Sequence, residues 1–558
     1  GGIYIRSSSA DGEIEEKMVY HNDLYVVKRI RDAEMGEAIV MRLHLPKDGV
    51  REFTVPLTAA TSKEEFRKHM SMQGVAVSRM DELMQYTTTW VNELQASATA
   101  DEAHRQFGWT SEEMKSFILG NMEIFGDRIA FNPPSANTAG LFHAFEPKGT
   151  LEGWKEMMGF FNEEGQETYQ YVVGASFGSI LMELMPVACA SLHIHSKDTG
   201  YGKTTALYAA LTPWGNPKEL LMEKEDTLNT KMNRGEIYHS LPFFLDEITN
   251  LSPKDLSNLA YQYVSGRQRR RLTGSANVER YNGLSWSFTS VSTGNVSIIE
   301  RIGMYKNAPK AEAQRILEYK VDKMFKSPSD KERTDKFSKE IFNHWGHAGI
   351  PFVQCVINNL EEIKGILEHV QKRIDKDAGL AAENRFWSAG VACSLTALIL
   401  CNKIGLLPYD SKPVYKWILE VLKKNKNASN DMNESVEQLL NDYINENWNN
   451  ILQIKSTDDL RKAQNNGLNQ LIVPDALPRG ALVARYETDT KRAYLVPKFL
   501  RTWCGAQQIN YASFLQDLTD KLGAKRTKMR LGKGTHMQLP STDVISVDCS
   551  SVDVDAED

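Results

Sequence analysis

Lys203 and Thr204 belong to a segment with the composition of a phosphate-binding loop. The stretch reads SLHIHSKDTGYGKTT from Ser191 onward, so an alternating apolar run leads into a glycine-bearing loop and then into the helix-forming ALYAAL. In such a loop, backbone N–H groups and the helix N-terminus bind polyphosphate, a lysine reaches the β and γ oxygens, and a hydroxyl group holds Mg²⁺. The residues that we expect to bind ATP and Mg²⁺ here are Gly200, Gly202, Lys203, Thr204 and Thr205.

The loop departs from the usual pattern at its first position. Counting back from Gly202 places Lys197 where a glycine is expected, and Gly200 is the residue that would restore backbone freedom. A Gly-Lys-Thr triplet also occurs in ordinary loops that precede helices. The interpretation therefore depends on a second motif.

That second motif is an acidic pair that follows a buried strand. The segment LPFFLDE ends in Asp246 and Glu247, after a run rich in apolar residues. The carboxyl ends of parallel strands are where α/β proteins place ligands. We predict that Asp246 binds Mg²⁺, directly or through water, and that Glu247 orients and deprotonates the attacking water.

A third polar residue follows the next strand. The segment LSWSFTSVS alternates and is followed by Thr293, Gly294 and Asn295. An amide at this strand tip would hydrogen-bond both the γ-phosphate and the attacking water. Gly-Asn is also good turn chemistry, so an ordinary turn is the alternative.

Between the acidic pair and this strand lies a short basic run, GRQRRRL. Flanking glycines and tyrosines make it typical of a flexible loop that grips a phosphodiester backbone, with aromatic rings available for stacking. A solvated charge run is the alternative. The residues predicted to bind DNA here are Arg267, Arg269, Arg270 and Arg271.

Arg315, in AEAQRILEYKV, is a candidate for a residue acting in trans. An arginine at this position would reach the γ-phosphate of a neighbouring subunit. The alternative is an intrahelical ion pair with Glu312 or Glu318. Arg301 is the reserve candidate for the same role.

The composition predicts a folded protein of several domains in a reducing compartment. The chain of 558 residues carries a net charge of −6, which leaves only local basic patches for binding nucleic acid. The six cysteines include no Cys-x-x-Cys pair, which argues against a zinc site or a disulfide framework and favours the cytoplasm. The Gly1-Gly2 start predicts a trimmed or excised fragment. The most apolar window, 171–190, predicts a buried helix rather than a membrane span.

The elements divide into four predicted domains. Residues 1–150 read as an α+β domain, with strands at YVVKRI, AIVMRLHL and REFTVPL. Residues 151–325 predict an α/β P-loop ATPase core, a parallel sheet with flanking helices. Residues 326–450 predict a helical region, in which the helical pattern begins as early as residue 309 and 423–434 is the expected linker.

Residues 451–558 predict a small C-terminal domain. A hairpin (VARYET, RAYLVP), two helices and a basic strand pair are the outline of a winged helix, followed by an acidic tail. The basic strand is expected to bind duplex DNA or a replication partner. Its basic residues are Lys525, Arg526, Lys528 and Arg530, with Lys533 just beyond them.

The order of these motifs resembles the helicase-like AAA+ ATPases of phages and mobile elements, grouped as the domain-of-unknown-function 927 family and related to superfamily 3 helicases. The resemblance spans roughly residues 20–325 and rests on the GKT loop, LPFFLDE, GRQRRR, TGN and QRILEYKV. It implies an AAA+-like core, a DNA-contacting loop at GRQRRR, and a hexameric ring around one strand with ATP at subunit interfaces. Lys197 departs from the family loop, which normally begins with glycine.

Motifs and resemblance together predict a hexameric, Mg·ATP-dependent helicase that moves on single-stranded DNA during phage or mobile-element replication in a bacterial cell. A primase or a polymerase is a further expected partner, and no membrane is involved. Two alternatives are left open. One is an initiator or packaging ATPase that melts or moves along duplex, and the other is a non-enzymatic, nucleotide-gated assembly platform.

Overall fold

The structure is a computed structural model that describes residues 1–8, 14–32, 36–135, 137–197, 200–267, 284–305, 309–321, 328–431, 435–455, 474, 476–507 and 509–551. Its contacts divide the chain into two units. One comprises Gly1–Arg301 and Ala311–Lys426, and the other comprises Ile302–Lys310 and Asn427–Asp558. The division into four domains stays a prediction.

The N-terminal part of the first unit contains a mixed sheet, in which β6 pairs with β3 in parallel, an antiparallel sheet and a hairpin. Its strands are β1 (Ile3–Ser8), β2 (Ile14–Tyr20), β3 (Leu24–Asp32), β4 (Gly36–Leu45), β5 (Gly49–Pro56), β6 (Asp101–Glu102), β7 (Gly108–Trp109), β8 (Phe117–Leu119), β9 (Met122–Ile124) and β10 (Ile129–Phe131). Its helices are α1 (Leu57–Ala60), α2 (Lys63–Met72) and α3 (Met80–Ser97). The sheet β5-β4-β3-β6 contains the three predicted strands, and Pro46–Asp48 form the predicted turn.

A parallel sheet lies at the centre of the first unit. Its strands are β11 (Cys189–His195), β12 (Phe243–Leu245), β13 (Phe288–Gly294) and β14 (Ile316–Lys320), in the order β12-β13-β11-β14. The helices between 151 and 313 are α4 (Leu151–Met158), α5 (Glu167–Gly178), α6 (Lys203–Leu211), α7 (Pro217–Leu220), α8 (Leu228–Tyr238), α9 (Pro253–Val264), α10 (Ile298–Gly303) and α11 (Lys310–Ala313). The strands β12 and β13 are buried along their whole length, which is typical of a parallel sheet covered on both faces. The expected parallel sheet with flanking helices is therefore present.

The helical reading of ILEYK was wrong. Residues Ile316–Lys320 form β14, which pairs in parallel with β11 from Ser191 to His195. Ile316, Leu317 and Tyr319 are buried by this pairing. Tertiary packing overrides a local pattern that fits both structures, because a short apolar run does not by itself distinguish strand from helix.

The predicted helical region is confirmed beyond this strand. Its helices are α12 (Pro328–Glu340), α13 (Gly349–Asn358), α14 (Leu360–Ala378), α15 (Arg385–Lys403), α16 (Ser411–Asp431) and α17 (Val436–Glu446). Residues 423–431 belong to α16, so this part of the expected linker is helical, and the boundary between the two units, after Lys426, lies within it. The side-chain amide of Asn425 donates to the Glu318 carbonyl at 2.8 Å and anchors this polar stretch to the edge strand.

Two apolar stretches bear on the membrane question. The window 171–190 contains the end of α5, which is buried from Tyr169 to Gly178 as expected. Among the described helices, Ala382–Lys403 is long and apolar enough to cross a membrane, and 83% of its apolar window is buried inside the structure.

The second unit contains the predicted C-terminal elements. They are β15 (Ile451–Ile454), β16 (Ala484–Glu487), β17 (Arg492–Leu495), α18 (Pro497–Ala506), α19 (Tyr511–Leu522), β18 (Lys525–Arg530) and β19 (Ser541–Asp548). The sheet order is β15-β16-β17-β19-β18. The hairpin, the two helices and the basic strand are confirmed as elements, and the winged-helix classification stays a prediction.

Gly178 allows α5 and α15 to approach closely. A Cβ atom at this position would lie 2.8 Å from backbone atoms of Cys393 and Ser394. Replacing Gly178 with alanine is expected to lower the free energy of unfolding by about 1–3 kcal/mol, because backbone cannot yield as a flexible side chain does. The measurement is urea unfolding followed by tryptophan fluorescence. Gly159→Ala is the matched control, since nothing lies within 4 Å of its added Cβ. Equal stability of the two variants would contradict this account.

Candidate active site

The loop between β11 and α6 takes its shape from glycines in the left-handed region. Gly200 and Gly202 have φ angles of 81° and 79°, which L side chains rarely adopt. Nothing lies within 4 Å of a Cβ built at Gly200, so the space above it is open. The hydroxyl group of Tyr169 on α5 donates to the Tyr201 carbonyl at 2.5 Å. The loop is therefore hydrogen-bonded to the buried helix α5 at Tyr201, and there is open space beside Gly200.

Lys203 is the first residue of α6 and its ammonium group reaches back across the loop. Nζ donates to the carbonyl and the hydroxyl of Ser196 at 3.2 and 2.9 Å, and to Oδ1 of Asn295 at 3.2 Å. Burial lowers the pKa of Lys203, against the opposing charges of Glu247 and Asp246. The cation thus lies among oxygen acceptors beside two carboxylates.

Asp246 follows β12 and is held by hydroxyl groups on two other elements. Thr204 on α6 donates to Oδ2 at 3.0 Å, and Thr293 on β13 donates to Oδ1. The Thr293 hydroxyl group approaches this carboxylate because β12 and β13 are adjacent parallel strands. The side chain is fixed before any ligand arrives.

Glu247 has a left-handed backbone, with φ of 49° and ψ of 48°. Its N–H donates to Oγ1 of Thr293 at 3.2 Å and to Oδ1 of Asp246 at 3.1 Å. Its Oε1 accepts from Nδ2 of Asn295 at 3.0 Å and from the hydroxyl of Thr249 at 3.1 Å. Since Asn295 also accepts from Lys203, its amide bridges the lysine and the glutamate.

His193 lies on β11, two residues before the end of the strand, and connects β11 to β13. Its ring nitrogens lie 3.0 Å from the Ser292 hydroxyl and 3.1 Å from the Val296 carbonyl. Complete burial lowers the pKa of His193 to about 3, so the ring is neutral at physiological pH. We interpret this histidine as a structural residue whose hydrogen bonds to Ser292 and Val296 fix the position of the segment around Asn295.

The arrangement fits a magnesium nucleotide. The Thr204 hydroxyl and the Asp246 carboxylate are hard oxygen donors of the kind Mg²⁺ prefers. Within the described ranges, no group of three or more His, Cys, Asp and Glu side chains could hold a metal ion. Mg²⁺ in nucleotide sites usually takes most of its ligands from phosphate and water, and Thr204 and Asp246 would supply the protein ligands.

The structure does not bring Arg315 to this site. Arg315 precedes β14 at the amino end of the sheet, whereas Lys203 and the carboxylates lie at the carboxyl ends of the strands. Its guanidinium group donates to the Ala311 carbonyl at 2.6 Å and lies 4.4 Å from the ring centroid of Tyr261. Neither an intrahelical ion pair nor a helix is present at Arg315. Any role in trans stays a prediction, as does that of Arg301 in α10.

The other predicted site residues are separate from the site or only partly described. Lys197 is exposed, and Thr205 is half-buried in the first turn of α6. Arg267 pairs with Ser285 in an isolated antiparallel bridge. Arg269, Arg270 and Arg271 lie outside the described residues. The exposed basic residues of β18 in the second unit are Lys525, Arg526, Lys528 and Arg530.

Sequence reasoning missed three hydroxyl groups in the site: Ser196, Thr249 and Thr293. Ser196 directly follows β11 and accepts from Lys203. Thr249 and Thr293 bond to the acidic pair. The available signal was position alone, since each lies within two residues of a predicted site residue or directly after a predicted strand.

The sequence matches the model of one protein family. The model of a family described as "Domain of unknown function (DUF927)" matches residues 1–281. The chain belongs to the DUF927 family. The matched DUF927 region contains the loop, the acidic pair and the arginine run, and it ends before Asn295. No functionally curated protein matches the sequence.

A solved structure described as SCCmec type IV Cch, an active helicase, is similar to this DUF927 chain. The similarity has a TM-score of 0.63 and covers 98% of this chain and 96% of that chain, at 12% sequence identity. At this identity the likeness concerns the fold. The mixed α/β architecture is therefore that of a known helicase structure from a mobile element.

Proposed function

We propose that this protein is a Mg·ATP-dependent DNA helicase that translocates on single-stranded DNA in mobile-element or phage replication. The observation that carries the proposal is that four residues meet at the carboxyl ends of the parallel strands. They are Lys203, Asp246, Glu247 and Asn295. Its fold similarity to a mobile-element helicase supports the same function.

The proposed chemistry assigns one task to each group. Lys203 binds the β and γ oxygens, while Thr204 and Asp246 hold Mg²⁺, which supplies charge neutralisation and orients the phosphates. Glu247 accepts the proton of the attacking water. Asn295, already bonded to both Lys203 and Glu247, orients that water against the γ-phosphate.

The strand order supports an AAA+-like core. The strand carrying Asn295 lies between the loop strand β11 and the acidic strand β12. Met222 pairs in parallel with Leu245 on the far side of β12, which extends the sheet by one short segment. This order separates the loop strand from the acidic strand and leaves room for the water-activating glutamate between them.

Arg267, the last described residue before the rest of the arginine run, lies at the opposite end of the sheet from Lys203. The bridge between Arg267 and Ser285 precedes β13, so it lies at the amino end of that strand. In a protein with a net charge of −6, a concentrated arginine run is the feature best suited to a phosphate backbone. The basic strand β18 is proposed as a second contact, with duplex DNA.

The arginine run gives a direct prediction. Replacing Arg269, Arg270 and Arg271 with alanine is expected to abolish stimulation of ATPase activity by DNA and to spare basal ATPase activity. The slope of log affinity against log salt should fall by about 2, since each phosphate contact on a single strand contributes about 0.7. Fluorescence anisotropy of a labelled oligonucleotide across a salt series measures this.

The matched control removes the same charge elsewhere. Lys364, Lys372 and Arg373 are exposed on α14, and replacing them with alanine should change neither DNA affinity nor its salt slope. An arginine-run variant that binds DNA like this control would show that the run is a solvated surface.

Strand displacement is the experiment that tests the function. The protein is expected to unwind forked duplex with ATP and Mg²⁺, at a cost of about 1.4 kcal/mol per base-pair step. Failure on forks together with ATPase activity stimulated by blunt duplex would favour a duplex-translocating or initiator ATPase. Light scattering with ATP and single-stranded DNA tests the proposed hexamer.

A further inference from the structure

We propose that Thr293 is a positioning residue that sets both carboxylates of the acidic pair for hydrolysis. This inference rests on the proposed ATPase function and assigns to Thr293 a role that acts through Asp246 and Glu247. Its hydroxyl group donates to Oδ1 of Asp246 and accepts from the N–H of Glu247 at 3.2 Å. A single hydroxyl group thus contacts both members of the pair.

Thr293 is suited to this task because it is rigid and inaccessible. Its side chain is completely buried. It lies on β13, whose pairing with β11 aligns Thr293 with Ile194, one residue before the end of that strand. A β-branched side chain in a strand has restricted χ1, so its hydroxyl position is set by the sheet.

The backbone of Glu247 needs such support. A left-handed conformation is unfavourable for a residue with a side chain, because Cβ then lies too close to the following carbonyl oxygen. The N–H group of Glu247 has two acceptors, and one of them, Oδ1 of Asp246, is itself held by Thr293. Loss of the Thr293 hydroxyl therefore removes one bond to Glu247 and loosens the second.

The two ends of Glu247 are fixed by different residues. Thr293 holds the backbone, whereas Asn295 and Thr249 hold Oε1. Asp246 has a second bond to Thr204 that does not involve Thr293. Loss of the Thr293 hydroxyl group is therefore expected to affect the orientation of Glu247 more than the binding of Mg·ATP.

The test compares Thr293→Val with Thr293→Ser. Valine keeps the branched shape and removes the hydroxyl group, whereas serine keeps the hydroxyl group. We expect valine to lower kcat for ATP hydrolysis by about 10–100-fold, the range typical of residues that orient a metal site, and to change Mg·ATP affinity much less. Serine should restore most of the rate. Affinity is measured by equilibrium binding of a fluorescent ATP analogue.

Hydrogen exchange supplies a readout that does not need activity. In the nucleotide-free protein, the Glu247 amide should exchange faster in the valine variant than in the wild type and the serine variant. Wild-type kcat in the valine variant, or equal losses with serine and valine, would overturn the proposal. If the wild-type protein hydrolyses no ATP, the proposed function fails, and amide exchange at Glu247 still tests the positioning role.

Discussion

Replacing Glu247 with glutamine is expected to lower the rate of ATP hydrolysis by about 10²–10⁴-fold, the usual contribution of a general base. The amide oxygen of glutamine still accepts from Asn295 and Thr249, so the geometry of the site is retained. Only the ability to accept a proton is lost. Mg·ATP should therefore bind normally, and any assembly that depends on bound nucleotide should persist.

The measurement is steady-state phosphate release together with equilibrium nucleotide binding. Glu225→Gln is the control, because Glu225 is an exposed glutamate of the same unit. The Glu225→Gln protein should hydrolyse ATP at the wild-type rate. Normal turnover in the Glu247→Gln protein would exclude Glu247 as the base. It would leave the binding roles of Lys203 and Thr204 intact.

Replacing Lys203 with alanine is expected to lower the rate of hydrolysis by at least about 10²-fold, the effect of losing one preorganised donor to an oxygen that gains charge in the transition state, and to weaken nucleotide binding. Lys203 is buried, and its ammonium group donates to three oxygen atoms, the carbonyl and hydroxyl of Ser196 and Oδ1 of Asn295. Isothermal titration with ADP and with a non-hydrolysable ATP analogue measures the loss.

Lys197 provides the control within the same loop. It is exposed, so replacing it with alanine should change affinity less than about fivefold, since an exposed charge contributes under about 1 kcal/mol. A larger loss at Lys197 than at Lys203 would mean that the unusual first position of the loop, and not the lysine of the Gly-Lys-Thr triplet, binds the phosphates.

Much of the candidate site was accessible from the sequence because its signals are local. The glycines before Lys203 indicate a tight loop, because glycine allows backbone angles that other residues rarely adopt. The acidic pair comes directly after an apolar run, which indicates a buried strand. Those residues meet in the structure. The contacts between Thr293, Asp246 and Glu247 were not accessible, because a threonine at a strand end has no distinctive local pattern.

Arg315 illustrates the opposite case. The sequence around it fits a helix, and its position after the sheet suggested a role in trans. The structure places it before an edge strand, with its guanidinium group over Tyr261. The cation–π packing was invisible in the pattern, because Tyr261 lies far from Arg315 in sequence. The carbonyl partner is local, since Ala311 lies four residues before Arg315.

The sequence by itself determined the loop chemistry, the order of the motifs and the types of element over most of the chain. Only the tertiary structure decided that β13 lies between β11 and β12 and that ILEYK completes the sheet. The physical reason is that parallel strands pair across long connections, so their neighbours are selected by packing and not by adjacent residues. That order brings Thr293 and Asn295 to the acidic pair.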